Sequence, residues 1–179
     1  MQLPGKAKSD ELYSHFYTFL LLSLIIFVFE TFLPRPMPWI KLGLANMVIV
    51  VGYFVFPPFW VFKLVIYRVI IGAVFLGTIG SPSLILSLAG GICAYIAMSV
   101  WYYMFKNRNF VVLSIHGAVA HFIGQVIVLY LFYIPNYASL YILPYLIFGG
   151  TFSGLIVGLL AGMFYDKIVP SEVKQINHS

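Results

Sequence analysis

Charge is scarce in this sequence: 8% of its 179 residues carry one, against 62% that are hydrophobic. A soluble domain carries roughly 25% charged residues to face water, so this chain cannot cover a water-facing surface. Cysteine is scarcer still. The single Cys93 excludes a disulfide framework within the chain and any thiolate metal cluster, and its apolar neighbours point to a buried, inert thiol. Polar stretches long enough for a second domain are missing. So is a phosphate-cradling GxxxxGK loop followed by Ser or Thr, which leaves any ATP-driven step to another chain. Net charge is +5, but the Lys and Arg residues stand singly between apolar runs. That placement fits anchoring at the cytoplasmic face of a membrane, and no nucleic-acid partner, cofactor or metal is expected.

What the sequence does have is a series of apolar runs. A helix needs about 20 mostly apolar residues to cross a core of roughly 30 Å. The runs predict six transmembrane helices: 16–33, 42–56, 59–79, 82–105, 110–133 and 138–165. Pro34, Pro36 and Pro38 stop the first, Pro57 and Pro58 the second, and the polar KNRN at 106–109 separates the fourth from the fifth. The sixth is long enough to be tilted, or bent after Pro144. The first run is followed by PRPMPW with no small-residue cleavage site, so it reads as a retained helix and not as a signal peptide. The expected organisation is a cytoplasmic N-terminal segment (1–14), one six-helix membrane domain (15–168) and a cytoplasmic tail (169–179). The expected fold class is an all-α integral membrane bundle in a plasma membrane. With the N-terminus inside, the inner segments hold Lys6, Lys8, Lys63, Lys106, Arg108, Lys167 and Lys174, and the outer loops only Arg35 and Lys41. Both termini are therefore expected in the cytoplasm.

Helices in lipid pack through small residues that let backbones approach. Gly150, Gly154, Gly158 and Gly162 form a strict four-residue stripe, read as a helix-packing surface or a docking face for a partner protein. Ala89, Gly90 and Gly91 in SLAGG serve the fourth span, and Gly117, Ala120 and Gly124 the fifth. The first span has no such ridge.

Ionisable and strongly polar groups inside spans are costly, so each is a functional candidate. Lys63 is near enough to the inner end to snorkel. Arg68 lies about 14 Å into its span and needs a buried anionic partner, carbonyl groups or an anionic ligand. Glu30 lies near the outer end of the first span, within reach of Arg35 or Lys41, and an ion pair there is the expected reading. His121 and Gln125 share a helix face one turn apart, either bonded to neighbouring helices or lining a pocket. His116 reads as a packing histidine. The loop and helix start PRPMPWIKLGLAN (34–46) combines stiff alternate prolines with Lys41 beside a helix N-terminus. This combination favours an anionic or carbonyl-rich ligand, or simply forms a rigid outer turn.

PRPMPWIKLGLANMVIV, with YRVIIGAVFLG in the third span, SLAGG in the fourth and GAVAHFIGQ in the fifth, resembles the Gx transporter family, whose members often carry the label heptaprenyl diphosphate synthase component I. The resemblance covers roughly residues 15–165, and the family looks like a relative of the substrate-binding S-components of energy-coupling factor (ECF) transporters. It implies a six-helix S-component-like bundle in a bacterial plasma membrane. It also implies a pocket for a small organic ligand in the outer half, drawing on Lys41 and Asn46, with Arg68, His121 and Gln125 at its floor and wall. The implied partners are membrane lipid, together with a transmembrane coupling protein and an ATPase pair, or else a polyprenyl synthase. Prenyl chain elongation needs aspartate-rich clusters to hold magnesium. With only Asp10 and Asp166, the chain is expected not to be an enzyme.

Overall fold

Helix ends in this chain are set by proline and asparagine. The computed structural model describes residues 4–32, 43–105, 109–137 and 141–168. Among them run α1 (Pro4–Phe32), α2 (Ala45–Val55), α3 (Pro58–Phe75), α4 (Pro82–Met104), α5 (Phe110–Val128) and α6 (Leu143–Ile168). A π-helical turn, Leu129–Tyr133, extends α5. Pro58 and Pro82 open α3 and α4, where a missing N–H is harmless. Asn109 caps α5, its side-chain carbonyl accepting from the N–H groups of Val111 at 2.8 Å and Val112 at 3.4 Å. Such a cap supplies about 1 kcal/mol.

Three boundaries differ from the sequence expectation. α1 begins at Pro4, so the segment 1–14 is largely a continuation of the first helix; its Lys and Glu residues are good helix formers and nothing there breaks the helix. α6 begins at Leu143, with Pro144 in its first turn, so the proline starts the helix and does not bend it. α2 has only 11 residues. Five helices are long and apolar enough to cross a membrane, and α2 is the exception: at 1.5 Å per residue it rises about 16 Å.

α2 is also the centre of the bundle. Val48, Ile49, Val50 and Val51 are each at most 1% exposed, and four consecutive residues cover every side of a helix. It packs against α1, α3, α5 and α6, while the others adjoin in the order α1, α3, α4, α5, α6. Close approach at glycine seals these seams. A Cβ on Gly72 would lie 2.8 Å from the Phe27 ring, one on Gly91 3.0 Å from Val65, and one on Gly117 2.7 Å from Met98.

The two ends of the bundle differ. Where α1 starts and α2 ends, aromatic rings interlock: Phe16 against Trp60 at 5.1 Å, Phe54 against Phe110 at 4.1 Å, and Phe110 against Tyr165 at 5.3 Å. The buried Tyr53 hydroxyl donates to the Tyr95 carbonyl at 2.9 Å and lies 2.9 Å from the Ser99 hydroxyl. The opposite end, where α1 finishes and α2 starts, carries the buried Glu30 carboxylate, and Arg68 lies midway along α3. Outward faces are apolar, as on α1, where Tyr13, Tyr17, Leu21, Ile25 and Phe29 repeat every four residues.

Candidate functional site

Arg68 and Glu30 are the buried charged residues of the described core, 7% and 6% exposed. They stand on adjoining helices. α1 and α3 lie alongside each other in the same direction, since Tyr13 meets Trp60 and Phe27 meets Gly72. Glu30 follows Phe27 by three residues and Arg68 precedes Gly72 by four, so the two lie on either side of the Phe27–Gly72 contact, offset by about 10 Å along the seam. Across that distance the Glu30 carboxylate acts on the Arg68 guanidinium as a charge of opposite sign. An isolated charge in an apolar interior is very costly, and a partner of opposite sign offsets part of that.

Glu30 has a second task. Its carboxylate oxygen accepts a hydrogen bond from the Gly43 backbone N–H, immediately before α2. Gly43 adopts φ +70°, a left-handed turn suited to glycine. A Cβ there would lie 3.4 Å from the Asn46 side-chain nitrogen and 3.8 Å from the Ser153 hydroxyl oxygen. Ser153, on α6, is itself buried. Residues of α1, α2 and α6 thus converge on the first turn of the central helix.

The other sequence candidates divide. Asn46 belongs to this centre, in the first turn of α2. Lys41, with Arg35, lies outside the described residues. The expected ion pair of Glu30 with Arg35 or Lys41 therefore falls outside the described residues, and what Glu30 is seen to hold is the Gly43 N–H. His121 and Gln125 form a second polar group, joined by a 3.1 Å hydrogen bond between their side-chain Nε2 atoms. The imidazole lies over Gly90, where a Cβ would come within 2.7 Å of it, so this pair is tucked into the α4–α5 seam. His116 donates from Nδ1 to the Val112 carbonyl at 2.8 Å and stacks on Trp101 at 4.3 Å. Lys63 lies over the rings of Phe59 and Trp60, at 4.6 and 4.9 Å. The stripe Gly150, Gly154, Gly158 faces α5, against Phe122, Ile115 and Val111, with Gly162 more loosely against Phe110.

Sequence reasoning missed Ser153 and Gly43. Ser153 sits inside the glycine stripe and its hydroxyl was the available signal. Among the described residues, no three of His, Cys, Asp and Glu gather as metal ligands.

A bundle of long apolar helices around a short buried one, with two charged residues buried inside it, defines a multi-pass integral membrane protein. Residues 19–164 match the family model described as heptaprenyl diphosphate synthase component I, and the chain belongs to that family. The matched stretch runs from α1 into α6 and takes in every residue of both polar groups. No curated protein and no solved structure matches the chain.

Proposed function

We propose that the chain is the substrate-binding membrane component of a small-molecule transporter, S-component-like, with both termini in the cytoplasm. The observation that carries this reading is the convergence of α1, α2 and α6 on Glu30, Gly43, Asn46 and Ser153, with the Arg68 guanidinium buried on the adjoining α3. Ionisable groups at such a depth mark ligand and ion sites in membrane proteins. A bundle needing only to pack would be served by the glycine seams it already has. The seven-to-two distribution of Lys and Arg across the loops supports the orientation, which turns the polar end outward and the aromatic end toward the cytoplasm. In this reading the ligand is a small organic molecule, vitamin-like, flavin or an isoprenoid or quinone precursor. Transport, where energised, is driven by a coupling protein and ATPases on other chains.

The family's description supports a second reading, a non-catalytic membrane subunit associated with polyprenyl diphosphate or quinone biosynthesis. Two aspartates cannot build the magnesium-holding clusters of chain elongation, so the chemistry in this reading belongs to a partner synthase. Purification of the full chain from membranes in a mild detergent, with mass spectrometry of bound small molecules and co-purifying proteins, separates the two. A retained small molecule that is lost from the Arg68→Ala protein supports the transporter component. Recovery with a soluble polyprenyl synthase and no retained small molecule overturns it.

A further inference from the structure

The exposed face of α6 changes character along its length. Tyr141, just before the helix, and Tyr145, in its first turn, are 78% and 77% exposed; then come Phe148 and Phe152, then Leu155, Leu159 and Met163. From Tyr145 onward these residues stand three or four apart and share one face. Phenol gives way to phenyl, and phenyl to aliphatic groups. α1 shows a similar change from its own start: Tyr13 and Tyr17, then Leu21, Ile25 and Phe29. On α4, Ile85, Ile92, Ile96 and Val100 lead to Tyr103 in the last turn. The tyrosines of α1 and α4 stand at the aromatic end of the bundle, where Tyr13 meets Trp60 and Tyr102, next to Tyr103, meets Tyr53. Those of α6 stand at the polar end, joined there by the exposed Tyr133 and Tyr137. No Lys, Arg, Asp or Glu lies between residues 110 and 165, so this second rim has no charge of α5 or α6 to hold it.

A phenol joins an apolar ring to a hydroxyl that needs a polar partner, and its place in a bilayer is the boundary between hydrocarbon and headgroups. We propose that the two tyrosine rims bind the headgroup zones of the two leaflets and fix the depth of the bundle between them. The distances agree with this. Glu30 and Ser153 both adjoin Gly43, so they lie at one level. From Tyr17 to Glu30 is about 20 Å along α1, and from Tyr145 to Ser153 about 12 Å along α6, which runs the opposite way. Together these make about 32 Å, against a hydrocarbon core of roughly 30 Å. The polar centre around Gly43 accordingly lies about 12 Å below the rim of α6, at hydrocarbon depth and enclosed by helices. That depth holds for any occupant of the centre.

The full chain, reconstituted in vesicles of phosphatidylcholine and phosphatidylglycerol, provides the test. In a Cys93→Ser background, Tyr17→Cys, Ile25→Cys, Tyr145→Cys and Leu155→Cys are spin-labelled one at a time, all at exposed positions. Collision with oxygen, compared with collision with a water-soluble nickel chelate, reads the depth of each label. Those at 17 and 145 are expected at the headgroup boundary, and those at 25 and 155 about 12 and 15 Å deeper. A rim label in bulk water, or one level with the labels at 25 and 155, overturns the proposal. A label at Phe148→Cys then shows whether the phenols hold this depth. Tyr141→Leu with Tyr145→Leu is expected to let that label sink by about 5 Å, one helical turn, whereas Tyr141→Trp with Tyr145→Trp leaves it in place. An unmoved label in the leucine protein overturns the anchoring role.

Discussion

Glu30 and Arg68 are both buried charges, but they stand differently in the fold. Glu30 accepts from the Gly43 N–H, and losing that acceptor leaves a backbone donor unmet, at about 1–3 kcal/mol. Glu30→Ala is therefore expected to lower thermal stability in detergent by an amount of that order. Arg68→Met replaces a buried charge by an apolar side chain of similar length and should be neutral or stabilising. Thermal melts of the two variants check this, and an Arg68→Met protein as unstable as Glu30→Ala would mean that the guanidinium does more for the fold than occupy space. The sequence showed both residues as buried and costly, but not that Glu30 holds the Gly43 N–H, because a backbone donor 13 residues on leaves no mark in side-chain chemistry. Ser153 was harder still, since a hydroxyl among glycines in an apolar helix reads equally as packing or as part of a site.

Glycine decides which helices can touch. Gly154 and Gly158 approach the α5 backbone so closely that an added methyl group would run into Ile115 and Val111, whereas at Gly162 the nearest atom is 3.7 Å away. Gly154→Ala and Gly158→Ala are therefore expected to destabilise the bundle by about 1–3 kcal/mol through overpacking. Gly162→Ala should be neutral or slightly stabilising, given the helix propensity of alanine. Three thermal melts rank them, and equal midpoints would show that α6 does not pack on α5 through this stripe. Helix number and most helix ends were legible because proline, glycine and apolar run length act locally. The shortness of α2 was not, because lipid-facing and protein-facing residues are both apolar and hydropathy reads them alike. Eight of its 11 residues are buried in protein, a distinction that only the packing reveals.

Seen whole, the molecule is polar at one end and ring-packed at the other, and the proposed orientation gives that difference a direction. In a Cys93→Ser background, Asn46→Cys is expected to react with a membrane-impermeant maleimide added outside. Ser99→Cys, in the hydrogen-bonded aromatic layer with Tyr53, should resist the reagent from the inside. Tyr137→Cys, on the exposed segment after the π turn, marks the outer side, and Ser9→Cys marks the inner. Labelling of position 9 from outside intact cells would invert the assignment. The brevity of α2 also bears on how the chain is made. A translocon releases a segment into lipid when it is long and apolar enough to be stable there alone, about 20 residues, and this helix is about half that. As it leaves the ribosome it has to shelter beside its hairpin partner α3. Its position is then settled only when α5 and α6, which cover its remaining sides, have been synthesised and inserted.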